Sequence, residues 1–209
     1  MRLYLASTSP ARLATLRSAG IEPVLLSSGV DEEAVGAAAG AISPQALVQL
    51  LARSKAEAVT GRLVDGKPID GFILGGDSAF ELDGVLYGKP HLPEVARERW
   101  MLQRGRSGEL HSGHWLIDHR GGIAAGAAGG VSTTTVDFAT DISDDEIDAY
   151  IATGEPLSVA GAFTIDSLGA PFISSVQGDP HTVVGLSLSL LRGLLLEFGV
   201  SWPNLWNRG

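Results

Sequence analysis

Helix start and stop signals alternate with short apolar runs along almost the whole chain, and this alternation is the tightest constraint on its fold. Residues 3–6 are apolar; Ser7-Thr8-Ser9-Pro10-Ala11-Arg12 follows, then Leu13, Leu16 and Ile21 at helical spacing. A serine ahead of a proline at the first helical position, with Gly20 just past the end, marks a bounded helix. The opening therefore reads strand, polar turn, helix. A second strand is expected at 23–27, and a second helix over 44–60, opened by Ser43 and closed by Gly61, with Leu47, Leu50 and Leu51 inward. Residues 72–74 predict a short buried strand that ends in Gly75-Gly76-Asp77-Ser78. Asp83-Gly84 is a hairpin signal between strands at 79–82 and 85–87. A helix over 93–104 and strands at 115–118 and 131–138 come next, the strands joined by a glycine/alanine stretch, 121–130, that reads as a surface loop. Ser143-Asp144-Asp145-Glu146 is a capping box ahead of Ile147, Tyr150 and Ile151. Strands at 162–165 and 171–176 and a closing helix over 183–198 complete the pattern. The whole predicts an α/β protein: a mixed, elongated sheet flanked by helices. The 209 residues suit one domain, built as two lobes around a central cleft.

Composition removes several classes of function. With 44% apolar and 19% charged residues the chain can build a core and is not of the disordered type. Its longest apolar stretch, 183–200, is broken by serines, Arg192 and Glu197, so it reads as a buried amphipathic helix, not a membrane span. No basic residue leads into an apolar opening segment, so no signal peptide is expected. Without cysteine there is neither a disulfide framework nor a thiolate metal site. These features place the chain in the cytoplasm with no membrane partner. A net charge of −9 argues against a nucleic-acid partner, whose phosphate backbone would be repelled over much of the surface. A small anion is still admissible where a few cations and a divalent metal gather locally.

Three segments could supply such a place. Exposed amides at a helix N-terminus, the hydroxyls of Ser7 and Ser9, and Arg12 can hold phosphate oxygens, although a plain helix cap with a solvated arginine has the same local sequence. Asp77, at the expected strand end, can hold a metal or deprotonate water, and Lys89 in Gly88-Lys89-Pro90, one hairpin away, can neutralise phosphate. Asp31-Glu32-Glu33 with Lys55 offers carboxylates near a cation, though adjacent carboxylates are commonly a solvated face. His111 and His114 lack a third neighbouring ligand and read as structural. Neither G-x-x-x-x-G-K-[ST] nor a G-x-G-x-x-G after the first strand is present. Gly76-Asp77-Ser78 also suggests a serine esterase with Ser78 as nucleophile and Asp179 and His181 as partners. Asp179 and His181 are, however, one residue too close for the D-x-x-H block of such enzymes, and the block order is wrong.

In ordered succession these segments resemble the Maf family, relatives in fold of the inosine-triphosphate pyrophosphatases. Leu5-Ala6-Ser7-Thr8-Ser9-Pro10-Ala11-Arg12 is similar to the opening L-A-S-x-S-P-R-R of that family. Val30-Asp31-Glu32, Lys55-Ala56, Gly76-Asp77-Ser78, Gly88-Lys89-Pro90, Gly154-Glu155-Pro156 and Ala160-Gly161-Ala162-Phe163 follow in order, and Gly178-Asp179-Pro180 with Val183-Val184-Gly185-Leu186 is similar to its closing G-D-x-x-x-V-V-G-L-P. The resemblance implies a nucleoside triphosphate pyrophosphatase that cleaves between the α and β phosphates to give the monophosphate and pyrophosphate. It implies a divalent cation, Mg2+ or Mn2+, a homodimer, and a house-cleaning role in the nucleotide pool. It makes Asp77 the general base or metal-orienting carboxylate, Glu32 a helper at the metal, and Ser7, Ser9, Arg12, Lys55 and Lys89 the phosphate holders. The branch that acts on thymidine and uridine triphosphates has Arg, Thr and Gln where this chain has Ala11, Ser78 and Asp166, so these three positions are the specificity candidates. A non-catalytic nucleotide-binding regulator of cell division is the alternative within the resemblance; the carboxylates and lysines kept at motif positions favour an enzyme.

Overall fold

The computed structural model describes residues 1–208. In chain order the elements are β1 (Leu3–Leu5), α1 (Pro10–Ser18), β2 (Val24–Leu25), α2 (Glu32–Ala39), α3 (Pro44–Glu57), β3 (Leu63–Val64), β4 (Lys67–Pro68), β5 (Gly71–Leu82), β6 (Val85–Tyr87), α4 (Pro93–Gln103), β7 (Ser107–His119), β8 (Gly126–Phe138), α5 (Asp144–Ala152), β9 (Ile173–Gln177), α6 (Pro180–Val184) and α7 (Leu188–Glu197). The main sheet runs β2-β1-β5-β7-β8-β9, with β6 paired to β5; β3 and β4 form a separate hairpin. β1 pairs in parallel with β2 and β5, while β6 and β9 pair antiparallel to β5 and β8. A mixed sheet flanked by helices is the expected class. Among the described residues, no helix is long and apolar enough to cross a membrane.

The chain divides into two compact units: residues 1–77, 112–132 and 185–209, and residues 78–111 and 133–184. The first is mostly aliphatic and layered on two sides of its strands. Leu3, Leu5, Phe72 and Leu74 pack with Leu16 of α1 and Leu191, Leu194 and Leu195 of α7. Their alternates Tyr4 and Ile73 pack with Ala56 of α3, with Val59 just beyond its end and with Ile117. The period-2 reversal of side chains thus puts α1 and α7 on one face and α3 on the other. The second unit is built on aromatic rings: Trp100 meets Phe138, Tyr150 and Phe172 at centroid distances of 5.4–5.6 Å, the first two nearly perpendicular. Its indole N–H donates to the Ala162 carbonyl at 2.8 Å, so the buried ring leaves no polar atom unpaired.

Local punctuation is realised where expected. Ser9, Ser43 and Ser143 cap α1, α3 and α5, the last with a full capping box through Glu146, and Asp83-Gly84 turns β5 into β6. Four expectations are corrected. β5 is one twelve-residue strand with Asp77 in its interior, not a short strand ending there. The stretch 121–130 is not a surface loop throughout, because residues 126–130 already belong to β8. A β-carbon on Gly129 would lie 2.3 Å from both Gln49 and Trp115, so the glycine there permits close packing rather than a flexible loop. Residues 162–165 form no strand; a 3-10 turn covers Ala160–Ala162. The closing helix is broken into α6 and α7 around Gly185-Leu186-Ser187, with Ser187 capping α7 through the Leu190 amide.

Candidate active site

Seven of the ten residues singled out from sequence fall within the first unit, and two of them, Asp77 and Glu32, meet on the ammonium group of a third, Lys55. Lys55 Nζ lies 2.6 Å from Asp77 Oδ1 and 2.7 Å from Glu32 Oε1. Lys55 is only 6% exposed and Asp77 8%, whereas the Glu32 side chain is about half exposed. Lys55 reaches Asp77 because α3 lies directly against β5. A β-carbon on Gly75 would come within 2.0 Å of the Ala52 carbonyl oxygen, so only glycine lets the helix sit this close. Ala52, Lys55 and Ala56 share one helix face, and Asp77 lies two residues on from Gly75, on the same face of the strand. Glu32 arrives at the first position of α2, where the Asp31 carboxylate accepts from the Ala34 amide and sets the helix start.

Arg12 approaches from α1. Its Nε donates to the Gly185 carbonyl at 2.8 Å and its Nη1 to Ser7 Oγ at 3.1 Å. Gly76 again leaves the room: a β-carbon there would stand 3.1 Å from Arg12 Nε. Ser7 Oγ also accepts from the Ser9 amide, and Ser9 Oγ from the Arg12 amide, so the polar turn holds itself in shape. Ala11 lies beside these groups in the first turn of α1, half-buried, its carbonyl taking the Thr15 hydroxyl.

The electrostatics are those of charges removed from water and set against one another. Burial pushes the Asp77 carboxyl above its ordinary value, while Lys55 and Arg12 oppose that rise and Glu32 adds to it. Burial likewise lowers the Arg12 guanidinium, against the pull of Asp77 and Glu32. Two carboxylates and two cations make the cluster close to neutral. A neutral cluster whose partners are long, re-orientable side chains can open to a substrate that brings its own charge.

The other candidates lie in the second unit. Ser78 follows Asp77 along β5, half-buried; Lys89 is exposed after β6; and Asp166 is exposed between Ile165 and Ser167. The segment carrying Asp166 is fixed by Glu155. Its two carboxylate oxygens accept from the hydroxyls of Tyr150 (2.9 Å), Thr164 (2.6 Å) and Ser167 (2.6 Å), and from the amides of Gly169 (3.2 Å) and Leu168 (3.4 Å). Desolvation works against that carboxylate, but the hydroxyl and amide donors outweigh it and hold the group below its ordinary value. Sequence reasoning placed Glu155 inside a motif without giving it a task.

It also missed the support behind Arg12. His114 Nε2 accepts the Ser187 amide at 3.0 Å, and its Nδ1 faces the Ser112 carbonyl at 3.1 Å, so the neutral ring carries its proton on Nδ1. That bond pins the backbone two residues beyond the Gly185 carbonyl that receives Arg12. His111, in turn, is engaged by Thr133 Oγ1 at 2.9 Å and Glu81 Oε2 at 3.0 Å, with Glu109 at 3.9 Å. The ring is buried and hydrogen-bonded, but the expectation that no third ligand lies near it is corrected: Glu81, Glu109 and His111 bring three possible ligand atoms within 4.8 Å of one another. Ser78 lies inside a strand, not on the sharp turn that exposes an esterase nucleophile.

Residues 2–198 match the family described as Maf-like protein, and the chain belongs to that family. It is 68% identical over 212 residues to a protein named nucleoside triphosphate pyrophosphatase from Leifsonia xyli subsp. xyli, covering 100% of this chain and 98% of the relative. A protein of the same name from Salinispora tropica is 53% identical over 209 residues, covering 100% of this chain and 89% of the relative. Among solved structures, the Staphylococcus aureus Ham1 protein is similar over 67% of this chain and 73% of its own, at 12% identity and a TM-score of 0.41.

Proposed function

We propose that this chain hydrolyses a nucleoside triphosphate to the monophosphate and pyrophosphate. The observation that carries the reading is the buried Lys55 ammonium bonded at once to Asp77 and Glu32, with Arg12 close enough to act on Asp77, in a chain so similar along its length to proteins named for that activity. In the reaction a water oxygen bonds to the α-phosphorus, the bond from that phosphorus to the bridging oxygen breaks, and pyrophosphate leaves with the electron pair. Asp77 takes the proton of the water. Ser7, Ser9, Arg12 and Lys55 hold phosphate oxygens, and Lys89 is assigned the same task from its motif position. As Lys55 turns toward phosphate, Asp77 loses the cation that keeps it ionised; burial then makes it a stronger proton acceptor at the moment it is needed.

The donor set fits a divalent cation. Glu32 and Asp77 already converge on one positive group through a single oxygen each, and each has a second oxygen to offer. Mg2+ or Mn2+ held there would supply neutralisation of phosphate charge and polarisation of the reacting phosphoryl group. Ala11, Ser78 and Asp166 are assigned to the base and sugar. Where the pyrimidine-selective branch has a donor fork, a threonine and an amide, this chain offers more room and an acceptor, which favours a base presenting N–H donors over thymine. The same reading carries a cytoplasmic homodimer that clears the nucleotide pool, and the net charge of −9 supports a free nucleotide as substrate in place of nucleic acid.

The deciding experiment measures products across standard and modified triphosphates with Mg2+ or Mn2+ added and withheld. Equimolar monophosphate and pyrophosphate, dependent on the added cation, is the expected result. Orthophosphate released stepwise through the diphosphate overturns the reading.

A further inference from the structure

A cavity of about 660 Å³ opens in the first unit, and Ala19, Leu188, Arg192, Trp202, Trp206 and Arg208 supply most of its wall. Its volume is in the range of small-molecule sites. It lies at the C-terminal end of α1, whereas Ser9 and Arg12 lie at the N-terminal end, roughly 13 Å away for a nine-residue helix.

The two indoles are oriented in a particular way. Trp202 Nε1 and Trp206 Nε1 both donate to the Ala19 carbonyl, at 3.4 and 3.2 Å. One carbonyl therefore satisfies the polar edge of both rings, and what they offer the cavity is ring surface, beside the Leu188 side chain. Trp206 is left 59% exposed, a large apolar plane facing water.

Charge at the rim runs against that of the rest of the protein. Arg192 is exposed and has no ion-pair partner among the described residues. Arg208 approaches Glu22 only at 3.7 Å, and Glu22 is already gripped by Arg17 at 2.6–3.1 Å. Glu22 is thus committed, and a chain of net charge −9 presents two guanidinium groups beside two aromatic planes. Planar apolar walls beside two guanidinium groups, one of them Arg192 without an ion-pair partner among the described residues, are complementary to one chemical class.

We propose that this cavity binds a planar aromatic anion, its ring against the indole of Trp206 and its acid group on Arg192. Two sources share that chemistry, a nucleoside monophosphate and an aryl carboxylate. The inference does not rest on the pyrophosphatase reading, since it uses none of the residues assigned to hydrolysis.

The test is calorimetric titration of the full chain with adenosine monophosphate, 1-naphthoate and the uncharged 2-naphthylmethanol. Both replaced side chains are exposed, so Arg192→Gln and Trp206→Ala should fold, which circular dichroism checks. The expected result is binding of at least one anion, weakened tenfold or more by each substitution, with the uncharged analogue at least tenfold weaker in the native protein. Adenosine monophosphate binding that depends on both residues assigns the nucleotide source; binding of naphthoate alone assigns the aryl acid. Saturable binding of neither anion at millimolar concentration, binding unchanged in both variants, or equal binding of the uncharged analogue overturns the proposal. Pyrophosphate release by Arg192→Gln, expected at the native rate without added anion, reports on the hydrolytic site separately. A failed titration therefore leaves that reading standing, and a chain without turnover leaves the titration interpretable.

Discussion

Asp77 in the first unit and Glu155 in the second are carboxylates partly withdrawn from water, and the two units satisfy them with different chemistry. Asp77 is held by cations on long side chains, Lys55 at 2.6 Å and Arg12 through its field, and burial still leaves it above its ordinary pKa. Glu155 is held by three hydroxyls and two amides from its own neighbourhood, and these hold it below. A lysine can swing its charge to a phosphate by rotating side-chain bonds. The Glu155 donors cannot leave without unravelling residues 164–169. Exchangeable partners suit a reacting group, and fixed ones suit a framework.

Removing charge at each place should break this contrast cleanly. Asp77→Asn is expected to lower pyrophosphate release by about 10²–10⁴-fold, the usual range for a general base, with the fold retained. Near-native turnover by a folded variant would place the proton acceptor elsewhere. Glu155→Gln should do the reverse and act first on stability. The amide keeps one acceptor oxygen but turns N–H groups toward hydroxyl and amide donors, at a cost of about 1–3 kcal/mol. Thermal melting checks this; an unchanged Tm would mean the five bonds are dispensable.

The segment that Glu155 holds carries Asp166, so specificity is a finer probe of the same framework. Asp166 accepts hydrogen bonds and repels bare carbonyl oxygens, whereas glutamine offers both donor and acceptor. Thymidine triphosphate is expected not to lead the native panel, and Asp166→Gln should shift kcat/KM toward it by roughly tenfold, the worth of one complementary bond. If thymidine triphosphate already leads the native panel, or the ranking does not move, this side chain does not read the base.

What could be read in the sequence, and what could not, follows the range of the interactions. The caps at Ser9, Ser43 and Ser143 and the turn at Asp83-Gly84 each depend on residues three or four apart, and each is in place. The sequence sets Asp77 at a strand end, because Gly75-Gly76 reads locally as a turn, whereas it lies inside β5. In the fold the two glycines lie within β5, where the close approach of Ala52 and Arg12 calls for residues without a β-carbon. The burial of Lys55 has the same distant cause. Arg12 finds its carbonyl at Gly185, 173 residues on, and no local pattern announces that pairing. Glu155 was legible as part of a motif, yet its donors come from an irregular segment with no period to betray which side chains converge.

His114 tests that long-range support at smaller scale. Its Nε2 is the acceptor for the Ser187 amide, and Gly185, two residues earlier, receives Arg12. His114→Leu removes the acceptor and should raise KM by roughly tenfold, with a smaller loss in kcat, as one buried bond is worth about 1–3 kcal/mol. His114→Gln, which can present an amide oxygen, should recover most of the affinity. Equal loss in both variants would reduce the residue to a packing role.

The smallest expected effect is in pH, where the two carboxylates should respond with opposite sign. The Asp77 folded pKa is raised, so its contribution to stability is fully present below its unfolded pKa and is lost as pH rises through the folded one. The Glu155 folded pKa is lowered, so its contribution is present above its unfolded pKa and is lost as pH falls through the folded one. Acidification from neutral pH therefore relieves the desolvated charge at Asp77 while it strips the acceptor from the donors around Glu155. The amides of Leu168 and Gly169, which donate to Glu155, should lose hydrogen-exchange protection below the ordinary carboxylate range, after correction for intrinsic exchange. The Ala6 amide, bonded to Leu74 in the first unit, should not lose protection in parallel. In Glu155→Gln the acid-dependent loss should vanish, since nothing at that position is left to titrate. Parallel loss of protection at Ala6, or an unchanged acid response in Glu155→Gln, would show that general acid unfolding, and not the way each carboxylate is held, sets the pH response.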